Sequence, residues 1–314
     1  MIEVRGLCKD YGPRQAIHNL NFTINKGDVV GFLGPNGAGK STTMKIITGF
    51  MSPTSGTAKV AGFDVFENPI EVKKRIGYLP ETPPVYGEMY VSDYLTYVAQ
   101  LKQVPDEKIS GLVARAIEKT QLGEVKHRLI QNLSKGFRQR VGIAQAIVSD
   151  PEVLILDEPT VGLDPKQVAE IRDLIRELKG HHTIILSTHI LPEVQATCEK
   201  AIIINKGHIV AEDTIENLSV LEKGQSQIIV RLRKDVSDMR TVLGDIEGVL
   251  SIDPGANQKE WKINVKGNEE TVDAISSRLV TKGLGLIEFT PKRADLEDVF
   301  LRLTYGQNAK GGNV

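Results

Sequence analysis

Residues 34 to 41 read Gly-Pro-Asn-Gly-Ala-Gly-Lys-Ser, a G-x-x-x-x-G-K-[ST] run placed after the apolar stretch VVGFL and before an apolar-periodic segment. Gly34, Gly37 and Gly39 let the loop carrying Pro35, Asn36 and Ala38 bend until its amide groups point inward at an anion. The start of the following helix adds a favourable potential. The chemistry that fits is capture of a nucleoside triphosphate: Lys40 to neutralise β- and γ-phosphate oxygens, Ser41 to ligate Mg²⁺, and Thr42 to bond the α-phosphate.

Two further stretches extend that chemistry from binding to hydrolysis. VLILDE, residues 153 to 158, ends an apolar run on adjacent carboxylates. Asp157 is expected to hold the magnesium through water, and Glu158 to polarise an attacking water as general base. Ser-Thr-His at 187 to 189 closes the next apolar run, and His189 is expected to reach the γ-phosphate or that water. Alone, the first would read as a solvated acidic turn before Pro159 and the second as an exposed histidine; their order behind a phosphate cradle gives them a function. A fourth stretch, NLSKGFRQRV at 132 to 141, reads locally as a serine N-cap on a helix, with Arg138 and Arg140 expected to pin it against acids of the surrounding helical subdomain.

Positioning these groups requires strands that stop at the cradle, at the carboxylates and at the histidine. Runs rich in β-formers occur at 2 to 7, 20 to 25, 29 to 34, 57 to 61, 75 to 79, 153 to 157 and 183 to 188, with a helix opening at Lys40. VLILD is short, wholly apolar and bounded by turn residues, as suits a strand buried on both faces. A helix over 166 to 179 leading to the next such run predicts a parallel crossover and an α/β core. Between Pro80 and Pro151 the periodicity is helical, over 92 to 104, 108 to 121 and 134 to 149. The first domain is expected to end near 212 to 224. Beyond it the order strand, helix, strand, strand, helix, strand predicts a small ferredoxin-like unit, then a helix at 295 to 304 and a frayed tail after Tyr305.

Composition narrows the function classes. The 314 residues carry a net charge of −1, and residues 225 to 305 hold 12 Lys+Arg against 13 Asp+Glu, so no basic field recruits nucleic acid. Cys8 and Cys198, the only two cysteines, suggest neither a disulfide framework nor a metal cluster and suit a reducing compartment. The stretch MIEVRGLCKDYG lacks the apolar core of a secretory signal, and no apolar run has the roughly 18 residues of a spanning helix. Any membrane role is expected to be peripheral.

The order of these motifs resembles the nucleotide-binding subunit of an ATP-binding-cassette transporter, over roughly residues 2 to 222. In that family a signature segment, usually Leu-Ser-Gly-Gly-Gln, opens a helix and binds the γ-phosphate held by a second subunit. Here it reads Leu-Ser-Lys-Gly-Phe, with Ser134 and Gly136 at the phosphate-facing positions and with Lys135 and Phe137 as departures. The resemblance implies two cassettes packed head to tail around two ATP molecules. It also implies that Tyr11 stacks on adenine, and that Asp164, in VGLD, links the two sites across the dimer while capping the helix that Pro165 begins. Glu81 stands where the family has a glutamine that joins the magnesium sphere, and a carboxylate is a hard oxygen donor able to keep that role.

The implied fold is α/β: a P-loop ATPase cassette (1–222) with a mostly parallel core sheet, an antiparallel N-terminal β part and an inserted helical subdomain (about 82–150). A small α+β ferredoxin-like domain follows (225–305), then a flexible tail (306–314). The C-terminal unit ending DLEDVFLRLT is similar to extensions on cassettes that drive a separate membrane permease, commonly in bacterial export systems. The implied partners are therefore an integral membrane permease and a second copy or related ATPase subunit, with the chain on the cytoplasmic face of the membrane. The contact is expected near 82 to 105, where Tyr86, Tyr90, Tyr94 and Tyr97 cluster, half of them in the subdomain core. An alternative is a soluble cassette ATPase acting on ribosomes, DNA or iron-sulfur assembly; a GTPase is disfavoured because NKGH at 205 to 208 lacks the aspartate of Asn-Lys-x-Asp.

Overall fold

Alternating buried side chains on Ile2–Tyr11 (β1) and Arg14–Ile24 (β2) give each strand one core face, with Ile2, Val4 and Leu7 on the first and Leu20, Phe22 and Ile24 on the second. The two pair antiparallel, Ile2 opposite Ile24, and form the middle and edge of a four-stranded sheet. In the computed structural model, residues 1–218, 226–255, 259–266, 269–292 and 296–305 are described.

Val29–Leu33 (β3) is buried along its whole length, and Lys40–Ile47 (α1) starts after the cradle. Ser55–Val60 (β4) and Phe63–Asp64 (β5) complete the first sheet, in the order β2-β1-β4-β5. Pro69–Arg75 (α2) leads into Ile76–Leu79 (β6). The helical segment follows as Val91–Leu101 (α3), Asp106–Lys119 (α4) and Lys135–Ile147 (α5). The chain then returns through Val153–Asp157 (β7), Pro165–Leu178 (α6), Thr183–Thr188 (β8), Leu191–Thr197 (α7), Lys200–Asn205 (β9) and His208–Thr214 (β10).

These strands build a six-stranded sheet in the order β10-β9-β3-β8-β7-β6, in which every pairing from β9 to β6 is parallel and β10 closes one edge antiparallel. Burial of β3, β7 and β8 at every position is what a parallel sheet covered on both faces imposes. The consequence for function is geometric. The carboxyl ends of β3, β7 and β8 lie side by side, with Leu33 opposite Thr188 and Asp157 opposite Ser187. The phosphate cradle, the carboxylate pair and His189 each lie where one of these strands stops.

The chain divides into two compact units, Met1–Thr214 and Ile215–Val314, a division inside the 212–224 stretch. Residues 219–225, and the tail expected over 306–314, lie outside the described residues. Ile215–Leu218 (α8) belongs to the second unit, where it packs on the last helix. That unit continues with Ser226–Leu232 (β11), Arg240–Leu243 (α9), Val249–Pro254 (β12), Glu260–Val265 (β13), Glu269–Thr281 (α10), Leu286–Lys292 (β14) and Leu296–Tyr305 (α11). Its antiparallel sheet has the order β12-β13-β11-β14, the ferredoxin-like arrangement, over a core that includes Ile228, Val230, Trp261, Ile263 and Leu279.

Of the four clustered tyrosines only Tyr94 is buried; its hydroxyl donates to Pro84 O at 3.2 Å. Tyr86 packs edge-on against Tyr94 at 6.0 Å and lies tilted against Tyr97 at 5.9 Å, yet Tyr86, Tyr90 and Tyr97 stay exposed, so one ring, not two, enters the core. No helix among the described residues is long and apolar enough to cross a membrane.

Candidate functional site

The loop after β3 turns through left-handed backbones at Gly37 (φ 79°) and Gly39 (φ 112°), conformations that an L side chain resists. A Cβ at Gly39 would also sit 3.1 Å from Ala16 O. The bend delivers the chain to α1, whose first residue is Lys40. Lys40 is buried, and its Nζ donates to Gly34 O at 2.8 Å and Pro35 O at 3.3 Å and lies 3.7 Å from Glu158 Oε1. Burial pulls its pKa below the usual lysine value, while Glu158 and Asp157 oppose that shift. A cation held among inward-turned backbone at a helix start is built to meet a polyanion.

At the end of β7, Asp157 is 2% exposed and accepts a hydrogen bond from Ser187 Oγ at 2.7 Å, and the Ser41 hydroxyl also favours its charged form. Burial raises its pKa, partly offset by those two hydroxyls. A buried carboxylate beside the Ser41 hydroxyl is a hard-oxygen pair that fits Mg²⁺. No cluster of three or more His, Cys, Asp or Glu able to hold a metal occurs among the described residues. A magnesium ion here would thus take most of its donors from phosphate and water, as that ion commonly does.

Glu158 carries a left-handed backbone, φ 50°, unusual for a residue with a side chain. It is held there by its own N–H, which donates to Ser187 O at 2.8 Å, and by its side chain. Oε1 lies 2.9 Å from His189 Nδ1, and Oε2 accepts from Thr188 Oγ1 at 3.2 Å. Strain of this kind, maintained by surrounding bonds at a buried carboxylate, is characteristic of sites where orientation matters.

A cavity of about 670 Å³ gathers Tyr11, Asn36, Gly37, Gly39, Lys40, Ser41, Thr42, Glu81, Glu158 and His189. Arg14, Ala16 and Val161 also line it, and the sequence reading missed all three. Arg14 lines the cavity because the β1–β2 hairpin folds beside the cradle, a tertiary event with no motif to announce it. Tyr11 is exposed, and its hydroxyl lies 3.0 Å from Met51 Sδ.

Ser134, Gly136 and Asp164 do not line that cavity. Ser134 and Gly136 line a separate one of about 280 Å³, together with Phe137, Arg140, Lys166 and Gln167. Ser134 caps α5 by accepting from Phe137 N at 3.3 Å, and Asp164 caps α6 by accepting from Gln167 N at 2.9 Å. Arg138 donates to Leu133 O, so it braces its own helix start. Arg140 donates to Thr120 O and pairs with Glu170 of α6, so the acid it meets lies outside the helical segment. The Lys135 ammonium occupies the space a Cβ on Gly162 would need, tying the start of α5 to the loop before Asp164.

The model of the ABC transporter family matches residues 17–161. The uncharacterized ABC transporter ATP-binding protein YxlF of Bacillus subtilis is 33% identical over 97% of this chain and all of its own length. The bacitracin transport ATP-binding protein BcrA of Bacillus licheniformis is 30% identical, over 98% of each chain. Among solved structures, an ATP-binding subunit of an ABC transporter superposes with a TM-score of 0.65 at 29% identity, covering 70% of this chain and 92% of its own.

Proposed function

The chain belongs to the ABC transporter ATP-binding proteins and is an ATPase of that family, and from that premise we propose that it energises a separate integral membrane permease, in the export direction, as a head-to-tail dimer. The observation that carries this reading is the division of the phosphate-binding groups. Lys40, Ser41, Glu158 and His189 share one cavity, whereas Ser134 and Gly136 face another. A serine-capped helix start is an anion site, and in a head-to-tail pair each would close over the nucleotide on the opposite cradle. Similarity to a bacitracin transport protein over nearly the whole chain supports a role in transport.

In this reading Tyr11 stacks on the adenine. The amides of the 34–39 loop, with Lys40 and Thr42, orient the phosphates. Glu158 accepts a proton from the attacking water, and His189, already 2.9 Å from Glu158, orients that water. Ser41, Asp157 and Glu81 would hold Mg²⁺, which when bound supplies charge neutralisation across the β- and γ-phosphates. The exposed rings of Tyr86, Tyr90 and Tyr97 are the proposed permease contact, which places the chain on the cytoplasmic face of a membrane through its partner.

The test is Glu158→Gln. The variant should bind ATP, turn it over at least about a hundredfold more slowly, and accumulate as a nucleotide-bound dimer in sedimentation velocity. Sedimentation as a monomer at saturating ATP, or ordinary turnover, would reject the composite-site mechanism.

A further inference from the structure

Behind Glu158 lies a second buried carboxylate that the proposed hydrolysis does not use. Glu193, on α7, is 2% exposed and lines neither cavity. Its Oε1 accepts from Thr160 Oγ1, in the loop after β7, and its Oε2 lies 3.2 Å from Thr188 Oγ1. The same Thr188 oxygen lies 3.2 Å from Glu158 Oε2 and accepts from Ile190 N at 3.1 Å. One hydroxyl therefore stands between two carboxyl groups.

A threonine hydroxyl has one proton to give and two lone pairs to receive with. Ile190 N–H takes one lone pair, and the single proton can serve only one carboxylate. Were both groups ionised, two buried anions would compete for that proton, and the loser would keep an unpaired oxygen. A proton on Glu193 satisfies every atom: Glu193 donates to the second lone pair of Thr188, and Thr188 donates to Glu158.

We propose that Glu193 is a positioning residue for the hydrolytic carboxylate, held as a neutral acid so that the Thr188 proton is directed onto Glu158 Oε2 and Oε1 stays with His189 and Lys40. The inference rests on the hydrolytic reading of Glu158. Burial raises the Glu193 pKa; the Thr160 and Thr188 hydroxyls and the charge of Arg172 on α6 oppose this, and Glu158 reinforces it. Among the described residues Arg172 forms no ion pair with Glu193, and its Nε has no hydrogen-bond partner.

The experiment compares Glu193→Gln and Glu193→Ala in the full chain, measuring ATP affinity, kcat and the infrared band of protonated carboxyl groups. The amide accepts from Thr160 and donates to Thr188 without charge, so Glu193→Gln should keep most of the wild-type kcat. Glu193→Ala should lose about tenfold or more in kcat with ATP affinity unchanged. The wild type should show a protonated-carboxyl band that Glu193→Gln lacks. Wild-type kcat in Glu193→Ala, a Glu193→Gln variant as slow as Glu193→Ala, or no band lost in Glu193→Gln would overturn the proposal. If Glu193→Ala does not fold, the turnover and infrared spectrum of Glu193→Gln decide. Ordinary turnover in Glu158→Gln would remove the hydrolytic reading itself; full activity in Glu193→Ala beside an inactive Glu158→Gln would remove only the role of Glu193.

Discussion

Lys40 shows how a single side chain carries two duties. Its ammonium is buried against backbone carbonyls and faces Glu158 and Asp157, so it offsets their charge as well as presenting its own to phosphate. Lys40→Ala is expected to abolish tight ATP binding, measured by equilibrium titration with a fluorescent nucleotide, because no other buried cation lines the cavity among the described residues. Undiminished affinity would discredit the cradle. Residues such as Lys40, Asp157 and Glu158 were legible in the sequence because their spacing to glycines and apolar runs is itself the chemistry. Arg14, Thr188 and Glu193 were not. Each acquires its role from neighbours brought up by the fold, as when Thr160 and Glu193, 33 residues apart, meet behind the cavity.

Elements were legible in proportion to their length and regularity. β7 and β8 announce themselves as short apolar runs, and α4 and α5 by their period. α7 escaped because seven residues opening on Leu-Pro make fewer than two turns, and β5 because it has two residues. β9 and β10 were also missed; β9 is an apolar run as long as β8 and was overlooked, and β10 is half polar because it forms a sheet edge. At this scale Lys102 fastens α3 to its neighbours, donating from Nζ at 2.7 Å to both Lys73 O and Ile76 O. Burial lowers its pKa to about 8. Below that value the lysine is charged in both the folded and unfolded chains. Between about 8 and the ordinary lysine value the unfolded chain holds the extra proton, so this residue's contribution to stability grows as pH rises through that window. Urea unfolding of wild type and Lys102→Met from pH 7 to 10 should show their stability difference shifting in favour of wild type; a constant difference would refute the burial of charge there.

At the scale of the whole molecule, the two units have separate cores, one centred on residues such as Phe32, Met44 and Ile155 and the other on Ile228, Trp261 and Ile263. A chain ending at Thr214 is therefore expected to bind ATP with unchanged affinity in the same titration, and loss of binding would show that the cradle depends on the second unit. Within the first unit, β3 carries the cradle at its end but is flanked by β8 and β9, strands that follow it by about 150 residues or more. On a ribosome adding 5–20 residues per second, roughly 8–30 s separate the synthesis of this loop from that of the strands that hold it. For that interval the nascent polypeptide owns the motif without the pocket. Arrested translation intermediates should stay blind to nucleotide until Asn205 has cleared the exit tunnel.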